Sequence, residues 1–137
     1  MKIAFYGTKP YDRLWFEPLS REYGHRIKFI EGLLNEDTIT LDNGYDAVCV
    51  FVNDKVDKPL IDTLCQMGIK AILLISAGYN HVDIKAARGR IHILRVPSYS
   101  PEAVAEFAMA LLLTVNRKTH CAYARTRDFN MTIQGLM

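Results

Sequence analysis

The sequence predicts an α/β protein in which five parallel strands form one sheet between two layers of helices. Short apolar runs alternate with helical segments along the chain, and strands that alternate with helices pair in parallel through right-handed crossovers. The runs at residues 47–51 and 71–75 are apolar at every position, which is typical of central strands covered on both faces. Unusual loops also follow the predicted strands, at residues 7–12, 51–54, 76–83 and 96–100.

In the first half of the chain, glycine and turn residues separate three strands and one helix. Residues 2–6 form an apolar strand before a Gly-Thr-Lys-Pro loop. Residues 26–30 and 47–51 are the next strands, while residues 31–42 carry only weak signals of a helical turn or an extended piece. Between the first two strands, residues 11–23 form an amphipathic helix whose apolar face consists of Trp15, Phe16, Leu19 and Tyr23.

The second half alternates in the same way. Asp57 is expected to cap a helix over residues 58–67, and residues 71–75 follow as a strand. A short helix over residues 82–88 leads to the fifth strand at residues 91–96. Five such units predict a flavodoxin-like three-layer sandwich with the strand order 2-1-3-4-5.

The last predicted helix has a clearly marked start and is apolar almost all round. Ser100 is the expected N-cap, and Pro101 suits the first helical position. Over residues 103–115 only Glu106 and Thr114 are polar, so no solvent-facing side can be drawn. Because a membrane span needs about 20 apolar residues, we expect protein to cover this helix, either as a buried core helix or against more than one neighbour.

Composition and charge exclude several classes of protein. The 137 residues are 50% hydrophobic with a formal net charge of +2, as in one soluble domain. There is no block of like charges, which argues against nucleic-acid or membrane partners. The apolar run after Lys2 is too short for a signal peptide, so we expect a cytoplasmic protein. Cys49, Cys65 and Cys121 follow no metal or redox spacing, which suits reduced thiols and predicts no metal site.

The four loops are the best candidates for a site, because ligands of such sheets gather outside the carboxyl ends of the strands. In the loop at residues 76–83, Gly78 lets a ligand approach the backbone, and successive N–H groups can hold a carboxylate or phosphate. A tight strand-to-helix turn explains the same glycine without a ligand. Tyr99 either directs its hydroxyl into the cleft or packs its ring with the hydroxyl bonded locally.

The remaining polar candidates have simpler explanations. His25, His81, His92 and His120 lack partners at metal or catalytic spacing, so we interpret them as surface or locally bonded residues. Asp12 and Asp54 lie in loops, where capping or solvation accounts for them.

Four stretches together resemble the D-isomer-specific 2-hydroxyacid dehydrogenases over nearly the whole chain. The most specific of them runs from Arg95 to Glu106 and reads RVPSYSPEAVAE. The others are residues 5–12 (FYGTKPYD), residues 75–83 (ISAGYNHVD), and residues 116–128, which begin NRK and end RTRD.

The resemblance implies a substrate-binding domain of an NAD-dependent enzyme that transfers a hydride from NADH to pyruvate or a similar small 2-keto acid. In the family, backbone amides of the loop matching Ala77 and Gly78 hold the carboxylate of the keto acid. Aromatic residues at the positions of Phe51 and Tyr99 line the same cleft, and the segment around Val104 approaches the nicotinamide.

The resemblance also implies a domain organisation. Residues 1–100 would form the substrate-binding domain, and residues 101–126 one long helix that joins it to a second domain and packs in a homodimer. Residues 127–137 would lead toward the NAD-binding domain. No Gly-x-Gly-x-x-Gly follows a predicted strand, and the family's catalytic arginine, glutamate and histidine have no counterpart. We therefore expect a truncated fragment that is catalytically inactive alone.

Two stand-alone modules remain as alternatives. A receiver-type signalling module is suggested by Asp54 near the end of the third strand, but it needs acids after the first strand to bind magnesium. A flavin-binding module needs a phosphate loop at that position, where Gly7-Thr8 offers a single hydroxyl.

Overall fold

The computed structural model describes residues 1–136, with only the backbone of residues 41 and 42. The chain divides into two compact units, Met1–Tyr99 and Ser100–Met137. Met137, the last residue of the predicted segment 127–137, lies outside the described residues. The functional roles assigned above to residues 1–100, 101–126 and 127–137 stay predictions.

The first unit contains a five-stranded parallel sheet in the order β2-β1-β3-β4-β5, which confirms the predicted fold class. In register, Ala47 lies opposite both Ile3 and Ala71, and Ala71 lies opposite His92. The carboxyl ends of all the strands therefore lie at one edge of the sheet. The strands are β1 (Lys2–Phe5), β2 (Arg26–Phe29), β3 (Ala47–Val50), β4 (Ala71–Leu74) and β5 (His92–Arg95).

The helices follow the predicted alternation. They are α1 (Pro10–Glu22), α2 (Lys58–Gln66), α3 (Ile84–Ala87), α4 (Pro101–Arg117) and α5 (Thr119–Arg127), with a 3₁₀ turn at Ile39–Asp42 in the weakly marked stretch. Asp57 caps α2 by accepting the N–H of Leu60 at 3.4 Å, as predicted. α3 is shorter than the predicted 82–88, because the carboxylate of Asp83 accepts the N–H of Ala86 and starts the helix there.

Each face of the sheet has its own apolar cluster. On one face, Val48, Val50 and Ile72 are buried with Ile61 and Leu64 of α2. The other cluster contains Ile3, Phe5, Ala47, Cys49 and Ala71, with Phe16 of α1 packed against it. The rings of Phe5 and Phe16 meet edge to face at 5.2 Å between centroids. Successive residues of the strands thus point to opposite clusters, as the pleat requires.

The predicted apolar face of α1 is wrong except at Phe16. Ser20 is the buried residue of this helix, and its hydroxyl donates to the carbonyl of Glu17 at 2.8 Å. Trp15 and Tyr23 are 69% and 66% exposed. Phe16 and Ser20 are four residues apart and share one helical row, whereas Trp15, Leu19 and Tyr23 form the adjacent row. The small serine, rather than the aromatic row, faces the interior.

The predicted continuous helix over residues 101–126 is broken at Lys118. This residue has φ 50° and ψ 36°, in the left-handed region, and separates α4 from α5. Its ammonium donates to the carbonyl of Gly135 at 2.7 Å, while Arg125 donates to the carbonyls of Thr132 and Gln134 at 3.0 and 2.7 Å. The two cations therefore hold the terminal segment through backbone carbonyls.

The start of α4 also differs from the expected capping. Pro101 lies at the first helical position, as predicted, but Ser100 has φ 37° and makes no side-chain capping bond. A capping serine normally has extended backbone angles that direct its oxygen toward the next N–H groups, and a left-handed residue does not. None of the α4 residues is buried, and the protein cover expected for this helix stays a prediction.

The reactivity of the cysteines tests the packing of the sheet. Burial raises the pKa of the Cys49 thiol to about 12, so almost none of it is the nucleophilic thiolate at pH 8. We expect iodoacetamide to label the half-buried Cys65 and Cys121 in the native chain and to leave Cys49 unmodified, as measured by mass spectrometry. Unfolding in urea should expose all three. Labelling of native Cys49 as fast as Cys121 would contradict this packing.

Candidate functional site

The loop after β4 holds three consecutive backbone carbonyls in place. The carbonyl of Ser76 accepts the N–H of Val96 at 3.2 Å. The carbonyl of Ala77 accepts the guanidinium Nη1 of Arg95 at 2.9 Å, and the carbonyl of Gly78 accepts the hydroxyl of Ser76 at 2.8 Å. Each of the peptide planes from Ser76 to Tyr79 is thus anchored on its carbonyl side.

The N–H groups of the same peptides are available to a ligand. In a planar trans peptide the C=O and N–H bonds point in opposite directions, so the N–H groups of Ala77, Gly78 and Tyr79 point away from the groups that hold the carbonyls. None of the three donates to another residue within 1–136. Successive unbonded N–H groups of this kind suit a carboxylate or phosphate oxygen. The loop therefore has the donors that the sequence predicted.

The backbone conformation of Gly78 shows whether the turn itself requires a glycine. Its φ lies outside the left-handed region, unlike that of Gly68 at +79°, and a Cβ built on Gly78 meets no atom within 4 Å. The turn itself therefore does not require glycine. Most of the other glycines have the same open space beside them, so the approach of a ligand to Gly78 stays a prediction.

Arg95 is the residue of this site that the sequence interpretation missed. Its guanidinium lies 5.3 Å from the centroid of the Tyr79 ring and reaches the loop from the last residue of β5. A charged residue directly after Ile93 and Leu94, at the carboxyl end of a strand, was the available signal. Its partner lies eighteen residues earlier in the chain, which no local pattern indicates.

Asp54 anchors the loop after β3. It is 1% exposed, and its carboxylate accepts the N–H of Leu34 and the N–H of Phe51, each at 2.8 Å. Of the two explanations considered for Asp54, solvation is therefore wrong, and the carboxylate instead bonds to backbone N–H groups. Phe51 is 41% exposed and follows β3, the neighbour of β4, so it lies at the edge that carries Ala77. Asp54 fixes its backbone.

The other predicted site residues are less constrained. Tyr99 is 79% exposed, and within residues 1–136 it has no hydrogen bond or ring contact, so its hydroxyl is not bonded locally. Val104 belongs to the second unit, within α4. The roles of Phe51, Ala77, Gly78, Tyr99 and Val104 in binding stay predictions.

A separate cavity of about 600 Å³ lies beside the loop, between α3 and β5. Tyr79 and Arg95 line it, together with Ile84, Arg88 and Ile91. Ala77, Gly78, Phe51 and Tyr99 are not among its lining residues. The predicted carboxylate donors, the N–H groups of Ala77 and Gly78, are therefore outside this cavity.

His81 is neither the surface residue nor the locally bonded residue that the sequence suggested. Its ring Nε2 is buried and has no hydrogen-bond partner among the described residues. Burial lowers the pKa of His81 below its ordinary 6.5, and the negative charge of Asp54 opposes this shift. The imidazole is therefore held in its neutral form to lower pH than a free histidine.

The pH dependence of stability should reveal His81. Because its pKa is lower in the folded chain, the unfolded chain binds the proton first, and stability should fall as pH drops below 6.5. Urea unfolding between pH 7 and 5 should show this fall, and a His81→Gln variant should flatten it. Asp46, Asp57 and Asp62 also have lowered pKa values, but their contribution is lost only below about pH 4. An unchanged slope in the variant would contradict the assignment.

The loop after β1 is held by backbone hydrogen bonds to the segment that follows β2. The N–H of Gly7 donates to the carbonyl of Gly32 at 2.9 Å, and that of Thr8 donates to the carbonyl of Ile30 at 3.1 Å. A flavin phosphate would need those donors. A receiver module would need an accessible Asp54, which is buried. The two stand-alone alternatives therefore find no support in this part of the fold.

Two kinds of feature are absent from the described residues. No three histidine, cysteine, aspartate or glutamate side chains within them are grouped to hold a metal ion. No helix in the described part of the chain has both the length and the apolar character of a membrane-spanning segment.

Comparison with known proteins identifies the family. Residues 3–134 match the model of the D-isomer specific 2-hydroxyacid dehydrogenase catalytic domain, and the chain belongs to that family. The resemblance in the sequence is thereby confirmed.

Individual relatives include two bacterial proteins. The D-lactate dehydrogenase of Escherichia coli K12 is 44% identical over 137 residues, which cover 99% of this chain and 42% of that protein. A 2-hydroxyacid dehydrogenase homolog of Haemophilus influenzae is 44% identical over 138 residues. The apo structure of the Escherichia coli enzyme gives a TM-score of 0.80 at 43% identity and is covered to 44%. The chain therefore spans less than half the length of these relatives.

Proposed function

We propose that the chain is the substrate-binding part of an NAD-dependent D-lactate dehydrogenase, which reduces pyruvate to D-lactate with NADH. Family membership supports the reaction class, and the relative from Escherichia coli bears that enzyme's name. The observation that carries the proposal is the set of three adjacent N–H groups, from Ala77 to Tyr79, whose carbonyls are anchored and whose hydrogens have no partner in the described chain.

In this proposal the amides of Ala77 and Gly78 bind the carboxylate of the 2-keto acid. Hydrogen bonds from backbone N–H groups to a carboxylate are charge-assisted and therefore stronger than neutral ones. Phe51 and Tyr99 would line the same cleft with exposed rings. Holding the acid by its carboxylate orients its carbonyl, and positioning of this kind is worth up to about 7 to 11 kcal/mol of a reaction barrier.

NADH would supply the hydride when bound, but the described residues offer no cradle for its pyrophosphate. The glycine loop after β1 has its N–H groups bonded to Gly32 and Ile30, and no Gly-x-Gly-x-x-Gly follows a strand. We therefore assign no pyrophosphate contact to this chain. The segment around Val104 would approach the nicotinamide, as in the family.

Binding and turnover test the proposal separately. Pyruvate or its analogue oxamate, titrated into the ¹⁵N-labelled chain, should shift the amide resonances of Ala77, Gly78 and Tyr79. Pyruvamide, which lacks the carboxylate, is the matched control and should leave them unchanged. We also expect no oxidation of NADH by pyruvate in the presence of this chain alone. Equal shifts with pyruvamide, or none with pyruvate, would exclude carboxylate recognition by this loop.

A homodimer through residues 101–126 belongs to the same proposal. Val104, Phe107 and Leu111 of α4 are 66%, 65% and 49% exposed, and exposed apolar surface of this kind favours association. Light scattering should give twice the 15.6 kDa of one chain, and Phe107→Glu should shift the mass toward the monomer. A monomeric native chain would contradict the interface. A cytoplasmic location is also proposed, because the free cysteines suit a reducing compartment.

A further inference from the structure

We propose that Arg95 is a positioning residue for carboxylate recognition, because its guanidinium fixes the direction of the Gly78 N–H. This inference rests on the proposed function of the loop that contains Gly78. It concerns an arginine that does not itself need to touch the substrate.

The guanidinium of Arg95 bonds to the segments that follow two neighbouring strands, β4 and β5. Its Nη1 donates to the carbonyl of Ala77, beyond β4, at 2.9 Å. The same nitrogen donates to the carbonyls of Pro97 and Val96, beyond β5, at 3.2 and 3.3 Å. Because Nη1 carries two hydrogens, three acceptors require at least one shared hydrogen bond. The ring of Tyr79 lies 5.3 Å from the guanidinium carbon and limits its movement from another side.

Arg95 acts on the central one of the three anchored peptides. The carbonyls of Ser76 and Gly78 are held by Val96 and by the hydroxyl of Ser76, so they keep their donors without the guanidinium. The carbonyl of Ala77 has Arg95 as its donor and no other among the described residues. Loss of Arg95 therefore frees the Ala77–Gly78 peptide to rotate, and with it the N–H of Gly78.

The positive charge of Arg95 also favours the binding of a carboxylate. Its hydrogen-bond partners are backbone carbonyls, and no ion pair with an acidic side chain occurs within residues 1–136. A guanidinium whose charge is not neutralised leaves a positive potential beside the loop, which favours an anionic ligand. Lysine would retain the charge but not the planar set of donors, so it should replace Arg95 only in part.

Three variants separate this role from a general effect on folding. Arg95→Met removes the donors and the charge, and Arg95→Lys restores the charge. Arg90→Met is the matched control, because the guanidinium of Arg90 bonds to Asp62 and to the carbonyl of Ala86 instead. Residual dipolar couplings of the ligand-free ¹⁵N-labelled chain report the orientation of the Gly78 N–H bond. Titration with pyruvate, followed by the same amide resonances, gives the dissociation constant.

We expect Arg95→Met to reduce the Gly78 coupling toward zero and to weaken pyruvate binding about tenfold, as for loss of one hydrogen bond to a charged group. Arg95→Lys should give an intermediate dissociation constant, and Arg90→Met should leave both quantities unchanged. A Gly78 coupling that is unchanged in Arg95→Met, or an unchanged affinity for pyruvate, would overturn the inference. If that variant does not fold, an unchanged affinity in Arg95→Lys would overturn it instead.

The two proposals fail in different ways. If the wild-type chain binds no 2-keto acid, the proposed function and the recognition of a carboxylate by this loop are overturned. The Gly78 coupling without ligand still decides whether Arg95 sets the orientation of that peptide. If the wild-type chain binds pyruvate and Arg95→Met binds it equally well, only the role of Arg95 is overturned.

Discussion

Replacement of Asp54 by alanine is expected to lower the free energy of unfolding by about 2 to 6 kcal/mol. The carboxylate is 1% exposed and accepts the N–H groups of Leu34 and Phe51. Alanine would leave both donors without a partner, and each buried unsatisfied donor costs about 1 to 3 kcal/mol. Urea unfolding followed by circular dichroism measures the loss as a lower midpoint at constant slope.

Two further variants identify the cause of this loss. Asp54→Asn keeps one oxygen acceptor and should cost roughly half as much, since one of the two N–H groups retains its bond. Asp57→Ala is the control, because Asp57 is a half-exposed helix cap whose removal should cost about 1 kcal/mol. If the alanine variants at positions 54 and 57 were equally stable, the buried carboxylate would not be the main anchor of this loop.

Replacement of Gly78 by alanine is expected to weaken pyruvate binding by about tenfold or more while leaving the fold intact. The backbone of Gly78 is outside the left-handed region and a Cβ there meets open space. Alanine is therefore compatible with the free chain and should even stabilise it by about 0.4 to 1 kcal/mol. The added methyl group would occupy the space through which a carboxylate approaches the N–H groups.

Gly68→Ala provides the opposite control. Gly68 has φ +79°, where an alanine costs about 1 to 2 kcal/mol, so this variant should lose stability and keep its affinity for pyruvate. Thermal unfolding and amide titration measure the two quantities on the same samples. A Gly78→Ala chain that binds pyruvate as tightly as the wild type would show that close approach is not the reason for this glycine.

The sheet was predictable because its signals are local. The apolar runs that become β3 and β4 are each continuous, and the one helix between them, α2, is bounded by Asp57 and Gly68. Parallel order then followed from the alternation of strands and helices. The location of the candidate loop followed as well, since carboxyl ends of parallel strands share one edge.

The contacts that organise the site were not predictable, because they join distant parts of the chain. Asp54 bonds to Leu34, twenty residues earlier, whereas the sequence on either side of Asp54 resembles that of an ordinary turn. Arg95 bonds to Ala77 across the ends of two strands. The break at Lys118 has no sequence signal, because lysine rarely adopts a left-handed conformation.

The backbone of Gly7 and Thr8 is hydrogen-bonded to residues 30–32. The loops that follow β1 and β2 therefore differ from the loop that follows β4 in how many of their N–H groups are free to bind a ligand. Beyond β1 and β2, main-chain groups satisfy one another, and Asp54 secures the adjoining turn. Beyond β4, the N–H groups of residues 77–79 have no acceptor among the described residues. On the proposed function, selection for binding of a different 2-keto acid should therefore yield substitutions near residues 76–79 and 95–97. Changes near residues 7–8 and 30–34 should mostly reduce expression.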